Sequence, residues 1–276
     1  MSKVILITGA SRGFGRIWAE AFLKRGDHVI ATARNLEALS GLTAEFGDRV
    51  LPLRLDVTDR EACFQAINAA VAHFGHIDVL INNAGIGLFG AVEESSEQEA
   101  RAQMETNFFG VLWLTQAVLP VMRQQGSGHI IQVSSVLGLV TVPVLGVYNA
   151  SKFAVEGLSA SLAAEVKSLG INVSIVEPNA YTTDWSTSAD KSQAISAYQP
   201  VKDVMWASFT TPGYFGEPSA TTPAIFKLVD AAEPPLRLLL GKVGYPIVKQ
   251  EYEARLNNFE DWLEVSEAAH GNQQGA

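Results

Sequence analysis

The stretch Val4-Ile5-Leu6-Ile7-Thr8-Gly9-Ala10-Ser11-Arg12-Gly13-Phe14-Gly15 decides the fold class of this chain. Its first four residues are apolar, as in a strand that is covered on both faces of a parallel sheet. Three glycines follow, and a helical pattern starts among them and runs over 14–25. Such glycines let the backbone approach a pyrophosphate, and the helix N-terminus then offers free N–H groups. The stretch predicts the phosphate-binding turn of an α/β domain.

The rest of the chain repeats this alternation of apolar runs and longer amphipathic segments. Helices are expected over 60–74, 97–124, 149–169 and 249–268, and no second domain core is visible. The other predicted strands are His28–Thr32, Val50–Leu55, Ile77–Ile81, His129–Val133, Asn172–Val176 and Leu236–Leu240. This alternation predicts an open, doubly wound α/β domain with helices on both faces of the sheet. Residues 186–223 lack a clean period and form either a cover over a site or a long surface excursion.

Composition excludes several classes of function. The 276 residues carry a net charge of −9, which argues against a general nucleic-acid surface. A single cysteine, Cys63, excludes a disulfide framework and a cysteine-cluster metal site, and the five histidines have no metal-ligand spacing. No apolar run is long enough to cross a bilayer. We therefore expect a cytoplasmic protein with no metal, no nucleic-acid partner and no membrane partner.

Two other sequence motifs that contain glycine are present and suggest different interpretations. Gly85-Ile86-Gly87-Leu88-Phe89-Gly90 matches GxGxxG, but no strand ending in an acid follows at the required distance, so we interpret it as a flexible loop that can still touch a ligand. Gly9-Ala10-Ser11-Arg12-Gly13 matches the GxSxG turn of hydrolases. That turn needs preceding strands and an oxyanion loop, and only eight residues precede it here. A serine hydrolase that uses Ser11 stays as the alternative chemistry.

The end of the second predicted strand indicates which dinucleotide fits. An NAD site places Asp or Glu there, whereas this strand ends in Ala33 followed by Arg34. Arg12 lies inside the glycine loop. Two guanidinium groups without a carboxylate favour a 2′-phosphate and therefore NADP(H), unless both are simply solvated surface arginines. Asp56, at the end of the third strand, is positioned to hydrogen-bond the adenine.

A tyrosine and a lysine four residues apart lie one helical turn apart on the same face. The ammonium group is expected to lower the phenol pKa from about 10 and so prepare the tyrosine for proton transfer. Three such pairs exist: Tyr148/Lys152, Tyr198/Lys202 and Tyr245/Lys249. Pro200 and Pro246 lie inside the second and third pairs and disfavour a helix there. Only the first pair follows a strand that ends in Ser134-Ser135.

Taken together, Thr8–Gly15, Asn82-Asn83-Ala84-Gly85, Asn107, Ser135 and Tyr148-xxx-Lys152 resemble the short-chain dehydrogenase/reductase family over residues 1 to about 185. The resemblance implies a single Rossmann-like domain with a seven-stranded parallel sheet, assembly into dimers or tetramers, and hydride transfer between NAD(P)(H) and a carbonyl or alcohol. It divides 1–276 into a cofactor-binding and catalytic core over 1–180, a substrate-covering segment over about 181–235, and the last strand with a C-terminal helix over 236–270.

The resemblance also implies a role for each matching residue. Tyr148 resembles the general acid, Lys152 the residue that lowers the tyrosine pKa and bonds the nicotinamide ribose, and Ser135 the hydroxyl that holds the substrate oxygen. Asn107 resembles the asparagine that supports a proton-relay water. The cofactor contacts implied are Gly9, Ser11, Arg12, Gly13, Phe14, Gly15, Arg34, Asp56, Val57, Asn83, Gly85, Tyr148, Lys152, Pro178, Tyr181 and Thr183. The family has glycine where this chain has Asn179, a residue that tolerates the left-handed turn expected there.

Apolar side chains surround the expected reaction space. The predicted walls are Leu88-Phe89, Leu137–Leu145, Tyr181, Trp185 and the segment with Trp206, Phe209 and Phe215, although these residues also suit a core or an oligomer contact. We expect NADPH-dependent reduction of a hydrophobic ketone or aldehyde to an alcohol, reversible as an alcohol dehydrogenase. A non-catalytic dinucleotide-binding protein is the remaining alternative besides the hydrolase.

Overall fold

The computed structural model describes residues 2–271, except for the side chain of Ser186. Seven parallel strands form one sheet in the order β3-β2-β1-β4-β6-β7-β9. Their bounds are Val4–Ile7 (β1), His28–Ala33 (β2), Val50–Arg54 (β3), Val79–Asn82 (β4), Gly128–Val133 (β6), Ile171–Pro178 (β7) and Arg237–Leu240 (β9). The predicted doubly wound parallel sheet is confirmed, and the predicted strand ends differ by one or two residues.

Helices cover both faces of this sheet. They are Gly13–Arg25 (α1), Ser40–Phe46 (α2), Arg60–Phe74 (α3), Glu97–Met104 (α4), Gly110–Gln125 (α5), Gly146–Val166 (α6), Trp185–Ser188 (α7), Gln199–Ser208 (α8), Thr222–Asp230 (α9), Gly244–Asp261 (α10) and Leu263–Ala268 (α11). One core cluster contains Trp18 and Phe22 of α1, and the cluster on the opposite face contains Cys63 and Ile67 of α3. The strand order reverses between β1 and β4, and ligands of such sheets bind outside the carboxyl ends of the strands at this point.

The predicted helix over 97–124 is not continuous. A wider π turn over Glu105–Phe109 separates α4 from α5 and contains Asn107. Such turns interrupt the regular hydrogen-bond ladder and are frequent at functional sites. The C-terminal helix begins at Gly244, earlier than predicted, and is divided at Trp262.

Residues 185–216 form a cover over the carboxyl ends of the strands. Asp190–Lys191 (β8) pairs in parallel with Leu88–Phe89 (β5), so the cover is joined to the loop that follows β4. Pro200 lies in the first turn of α8, and Pro246 lies in the first turn of α10. The prolines were expected to disfavour a helix, yet a helix forms at both positions, because the first turn of a helix does not need the N–H group that proline lacks.

A set of contacts that we call the clasp fastens the cover to the body. Glu94 is buried, and its carboxylate accepts hydrogen bonds from the Ile195 backbone N–H (2.6 Å) and from Lys202. The Tyr198 hydroxyl donates to Glu93. These bonds hold the pKa of Glu94 at about 2, below its ordinary value, so the clasp stays charged at neutral pH.

No helix within residues 2–271 is long and apolar enough to span a membrane.

Candidate active site

A cavity of about 390 Å³ opens at the carboxyl ends of β1, β4, β6 and β7. This volume lies in the range of small-molecule sites. Most of the residues that the sequence nominated line it together: Gly9, Ser11, Arg12, Gly13, Phe14, Arg34, Asp56, Val57, Asn83, Gly85, Ser135, Tyr148, Lys152, Pro178, Tyr181 and Thr183. Gly15 and Asn107 are the nominated residues that lie outside this lining.

Those two residues support the cavity from behind. A side chain at Gly15 would lie 2.4 Å from the Gly9 carbonyl oxygen, so Gly15 allows α1 to pack against the glycine loop. Asn107 is fully buried, and its Oδ1 accepts from the Ile86 N–H (2.9 Å). Its Nδ2 donates to the Ile86 carbonyl (3.0 Å) and to the Ser151 hydroxyl (3.1 Å). The Asn107 side chain therefore fixes the loop after β4 against α6.

The glycine loop offers room and positive potential for a phosphate. Gly9 and Gly13 have positive φ angles (66° and 56°), and a side chain at Gly13 would meet nothing nearer than Thr183 at 4.0 Å. Helix α1 starts here without a side-chain cap and without an acidic residue in its first turn. Its free N–H groups and dipole therefore suit an anion, and the loop fits the pyrophosphate of a dinucleotide.

Asn83 connects this loop to β4. Its Nδ2 donates to the Thr8 carbonyl (2.8 Å), while the Thr8 hydroxyl accepts from the N–H groups of Asn83 and Ala84 (both 2.9 Å). These bonds hold the two strand ends at a fixed distance on either side of the reversal point.

The far end of the cavity carries the two arginines. Arg12 and Arg34 are exposed, and neither guanidinium forms an ion pair or a side-chain hydrogen bond with another residue in the described range. Asp56 Oδ1 accepts from the Thr58 N–H (3.0 Å) and hydroxyl (2.8 Å), which fixes that carboxylate at the cavity edge. Two unengaged cations at this end fit a phosphate better than a bare ribose hydroxyl.

The three reactive side chains meet at the middle of the cavity. Tyr148 and Lys152 of α6 are each only 6% exposed, and Ser135 is the second residue after the strand β6. Lys152 Nζ donates to the Val133 carbonyl oxygen (2.9 Å) and lies 5.8 Å from the centre of the Tyr148 ring. Trp185 of the cover packs against that ring, with the centroids 4.9 Å apart. The helix, the strand end and the cover thus enclose one phenol.

Burial controls the ionisation of this group. It raises the pKa of Tyr148 to about 12, and a hydrogen bond with Ser135 opposes only part of that shift. Burial also lowers the pKa of Lys152 to about 8, while the charge of Glu156 acts in the opposite direction. The lysine was expected to lower the tyrosine pKa, but that pKa is raised, because burial of the phenol outweighs the hydrogen bond with Ser135. The phenol is protonated throughout the neutral range.

The other half of the cavity is apolar. Its walls comprise Leu137, Val140, Val142, Leu145, Trp185, Phe209, Tyr214, Phe215, Val243 and Ile247. Tyr214, Val243 and Ile247 were not expected from the sequence, since they lie far along the chain and no local pattern connects them to Tyr148. Several expected wall residues lie outside the lining instead: Leu88, Phe89, Trp206, and within Leu137–Leu145 also Gly138, Leu139, Thr141, Pro143 and Val144. Phe89 packs against Trp185 and Trp206 at 5.7 and 5.0 Å and so supports the wall from outside.

The GxGxxG sequence at 85–90 serves this packing. A side chain at Gly87 would lie 2.5 Å from the Trp185 ring, so the motif allows the cover to approach closely. Only Gly85 and Ile86 of the motif line the cavity.

Asn179 does not adopt the left-handed conformation expected of it; Val144 is the one non-glycine residue with positive φ in the described range. The Asn179 side chain instead donates to the Ala180 carbonyl (2.9 Å) and occupies the space beside Gly241. A side chain at Gly241 would lie 1.6 Å from Asn179 Oδ1. The larger residue is accommodated because Gly241, with φ of 97°, has no Cβ.

No histidine is among the described residues that line the cavity with Ser11, so the hydrolase alternative gains no support from this site. His28 is the first residue of β2 and His129 the second residue of β6, so both lie at the amino ends of the strands, whereas Ser11 follows the carboxyl end of β1. His129 Nε2 lies 2.9 Å from the Ser174 hydroxyl, and His76 pairs with Asp78 before β4. Within residues 2–271, no group of three or more His, Cys, Asp or Glu side chains is arranged to hold a metal ion.

Comparison with known proteins agrees with this geometry. The family model for short chain dehydrogenase matches residues 3–194. The oxidoreductase BOA17 of Botryotinia fuckeliana is 41% identical over 273 residues, which cover 98% of this chain and 100% of that protein. The 3-ketodihydrosphingosine reductase of Bacteroides thetaiotaomicron is 38% identical over 243 residues, or 87% of this chain and 88% of that protein.

Solved structures extend the likeness to the whole fold. A short-chain dehydrogenase from Streptomyces avermitilis shares 38% identity and a TM-score of 0.89, with 97% of this chain and 98% of that chain covered. A serine dehydrogenase complexed with NADP+ shares 27% identity and a TM-score of 0.76, with 87% of this chain and 95% of that chain covered. A short chain dehydrogenase/reductase from Burkholderia phymatum in complex with NAD shares 25% identity and a TM-score of 0.78, with 96% of this chain and 95% of that chain covered. Similar chains therefore bind nicotinamide dinucleotides of both kinds. From the matched residues, the sheet order and the enclosed tyrosine and lysine, we conclude that this chain belongs to the short-chain dehydrogenase family of oxidoreductases.

Proposed function

We propose that this chain uses NADP(H) to reduce a hydrophobic ketone or aldehyde to an alcohol, in a reaction that also runs in reverse as an alcohol dehydrogenase. The observation that carries this proposal is the position of a buried, protonated phenol between a phosphate-accepting loop and an apolar wall. A carbonyl carbon at that position needs a hydride on one side and a proton at its oxygen.

A bound nicotinamide dinucleotide supplies the hydride. Tyr148 donates its proton to the carbonyl oxygen. Because burial raises its pKa to about 12, the phenol carries this proton at neutral pH before the transfer. Ser135 shares the carbonyl oxygen as a second hydrogen-bond donor. Lys152, anchored at the Val133 carbonyl, places a positive charge beside the oxygen as negative charge develops there. Asn107 holds the loop that faces Lys152.

NADP(H) is preferred in this proposal because Arg12 and Arg34 have no partner of their own within the described residues and no acid ends β2. The apolar walls favour a substrate with sizeable hydrocarbon groups and without an obligatory charge. The name of the relative from Bacteroides thetaiotaomicron denotes reduction of a ketone, which agrees with this substrate class. The cytoplasmic location and the division at about residues 180 and 235 remain predictions of the same proposal.

We further propose that two copies associate through the C-terminal helices. Tyr252, Leu256, Phe259 and Leu263 recur at helical spacing along α10 and α11, and all four are exposed. Lys249 and Arg255 of α10 are paired with Glu253 and Glu251 of the same helix, and Glu260, Asp261, Glu264 and Glu267 follow along the two helices. The exposed apolar residues, and not the charges, therefore carry the proposal of a symmetric pair. Sedimentation of wild type and of Phe259→Lys tests this: a monomeric wild type contradicts the dimer.

The reaction is tested by following nicotinamide absorbance with NADPH and NADH across a panel of apolar ketones and aldehydes. Tyr148→Phe is expected to lower kcat by about 10²–10⁴, the contribution of a general acid, with the fold unchanged. Tyr245→Phe removes the same hydroxyl from another YxxxK pair, at an exposed site, and serves as the control. Near-normal turnover by Tyr148→Phe would contradict the role of Tyr148 as general acid. If the wild-type protein reduces no compound of the panel, the alternative of a non-catalytic dinucleotide-binding protein is favoured.

A further inference from the structure

Two buried carboxyl groups lie directly behind the reactive side chains. Glu177 is 0% exposed and occupies the residue before Pro178, which lines the cavity. Glu156 is also buried and follows Lys152 by one turn of α6. Arg237 of β9 reaches both: its Nε lies 3.1 Å from Glu156 Oε2 and 3.6 Å from Glu177 Oε1. Each carboxyl is therefore next to a residue of the proposed active site and shares one guanidinium with the other.

Neither carboxyl is fully satisfied by hydrogen bonds. Both oxygens of Glu177 and Oε1 of Glu156 are buried without a hydrogen-bond partner in the described part of the chain. Burying an unsatisfied charge is costly, so a pair of such groups in one place requires an explanation. Packing alone does not supply one, because glutamine or leucine would fill the same volume without the charge.

The charges around the pair indicate that it retains a proton. Arg237 and Lys152 are the cations that face it, and Ser134 contributes a hydroxyl next to Glu156. Burial first, and the neighbouring charge of Glu156 second, raise the pKa of Glu177 to about 8, while burial also raises the pKa of Glu156. Two buried carboxyls that share one guanidinium repel each other when both are ionised, so a proton on one of them is favoured.

We propose that Glu156 and Glu177 are positioning residues that share a single proton, and that with Arg237 they hold one negative charge beside Lys152 and fix the end of β7 at the cavity. The proposal rests on the function proposed above for Lys152. With one proton in place, Arg237 and the pair are together neutral, and the remaining carboxylate supports the buried ammonium group. When one glutamate is removed, the other ionises and supplies the charge in its place.

The shared proton is tested on the cofactor-free protein by thermal unfolding at several pH values. A group whose pKa is raised on folding stabilises the protein below its unfolded pKa of about 4.5, and this stability is lost as pH rises through 8. Wild type is therefore expected to unfold at progressively lower temperature as pH rises from about 6.5 to 8, the window above the titration of His129 and below that of Lys152. Glu177→Gln cannot ionise and is expected to lose most of this decline. The control is Glu165→Gln, the same change at an exposed position of α6. Equal pH profiles for Glu177→Gln and the control would overturn the proposal.

The positioning role is tested by a double-mutant cycle on NADPH affinity, measured by nucleotide fluorescence, and on kcat/KM. Each single change, Glu156→Gln or Glu177→Gln, leaves one carboxylate and is expected to weaken binding less than about threefold, whereas the double change is expected to exceed about tenfold. Effects that multiply without coupling would overturn the shared charge. The unfolding and binding arms need no turnover. A chain that binds NADPH and shows the coupling but reduces no carbonyl would contradict the proposed function alone.

Discussion

Removal of the two arginines at the far end of the cavity should separate NADPH from NADH. A hydrogen bond to a charged group contributes about 1.5–3 kcal/mol, and the exposure of Arg12 and Arg34 places each near the lower limit. A loss of about 1.4 kcal/mol corresponds to tenfold in Kd. We therefore expect Arg12→Ala and Arg34→Ala each to weaken NADPH binding about tenfold, and the double variant about a hundredfold. NADH, which lacks the 2′-phosphate, should be affected less than about threefold.

The assay is fluorescence titration of both nucleotides at low and high salt, because screening weakens exposed ion pairs. Arg123→Ala removes the same charge at an exposed position outside the cavity and is the matched control. Ala33→Asp combined with Arg34→Ala should go further and favour NADH, since a carboxylate at the end of β2 binds a ribose hydroxyl and repels a phosphate. An unchanged ratio of NADPH to NADH affinity in the double variant Arg12→Ala/Arg34→Ala would show that the 2′-phosphate is recognised by other residues.

Three other perturbations address the clasp, the sheet and the turn after β7. Glu94→Gln removes the charge that holds Lys202, so the KM for carbonyl substrates should rise several-fold while NADPH affinity stays the same; an unchanged KM in steady-state assays would contradict a role for the clasp in substrate binding. Burial lowers the pKa of His129 to about 4 from an unfolded value near 6.5. Up to about 3 kcal/mol of stability should then be lost as pH falls through this window. In thermal unfolding, His129→Gln should reduce the decrease in unfolding temperature between about pH 6.5 and pH 4. An unchanged decrease in the variant would exclude His129 as its cause. Gly241→Ala should destabilise strongly because its Cβ meets Asn179. Adding Asn179→Gly should remove the collision and leave only the cost of the positive φ, about 1 kcal/mol in denaturant unfolding.

Local patterns in the sequence predicted the parts of the fold that depend on short-range physics. Continuous apolar runs predicted every strand of the large sheet, because a strand that is buried on both faces must be apolar throughout. The glycine loop and the Tyr148/Lys152 pair were also recognisable, since their spacing follows from the geometry of one turn and one helix.

Features that depend on distant residues were not predictable in this way. The π turn around Asn107 exists because its amide binds Ile86 and Ser151, neither of which is near it in sequence. The conformation of Asn179 is determined by the missing side chain of Gly241, 62 positions along the chain. The direction of the Tyr148 pKa shift depends on how completely Trp185 and its neighbours bury the ring, and sequence spacing contains no information on burial depth.

The attachment of Lys152 to the Val133 carbonyl has a consequence for how such a protein changes over time. A main-chain oxygen is present whatever residue occupies position 133, so no substitution there abolishes this anchor. The hydrocarbon-facing half of the cavity comes from separate segments of the chain and is free to vary. Reactivity and substrate selectivity are thus encoded by different residues. Mutagenesis of the apolar wall can therefore generate new selectivities while Tyr148 and Lys152 keep their positions.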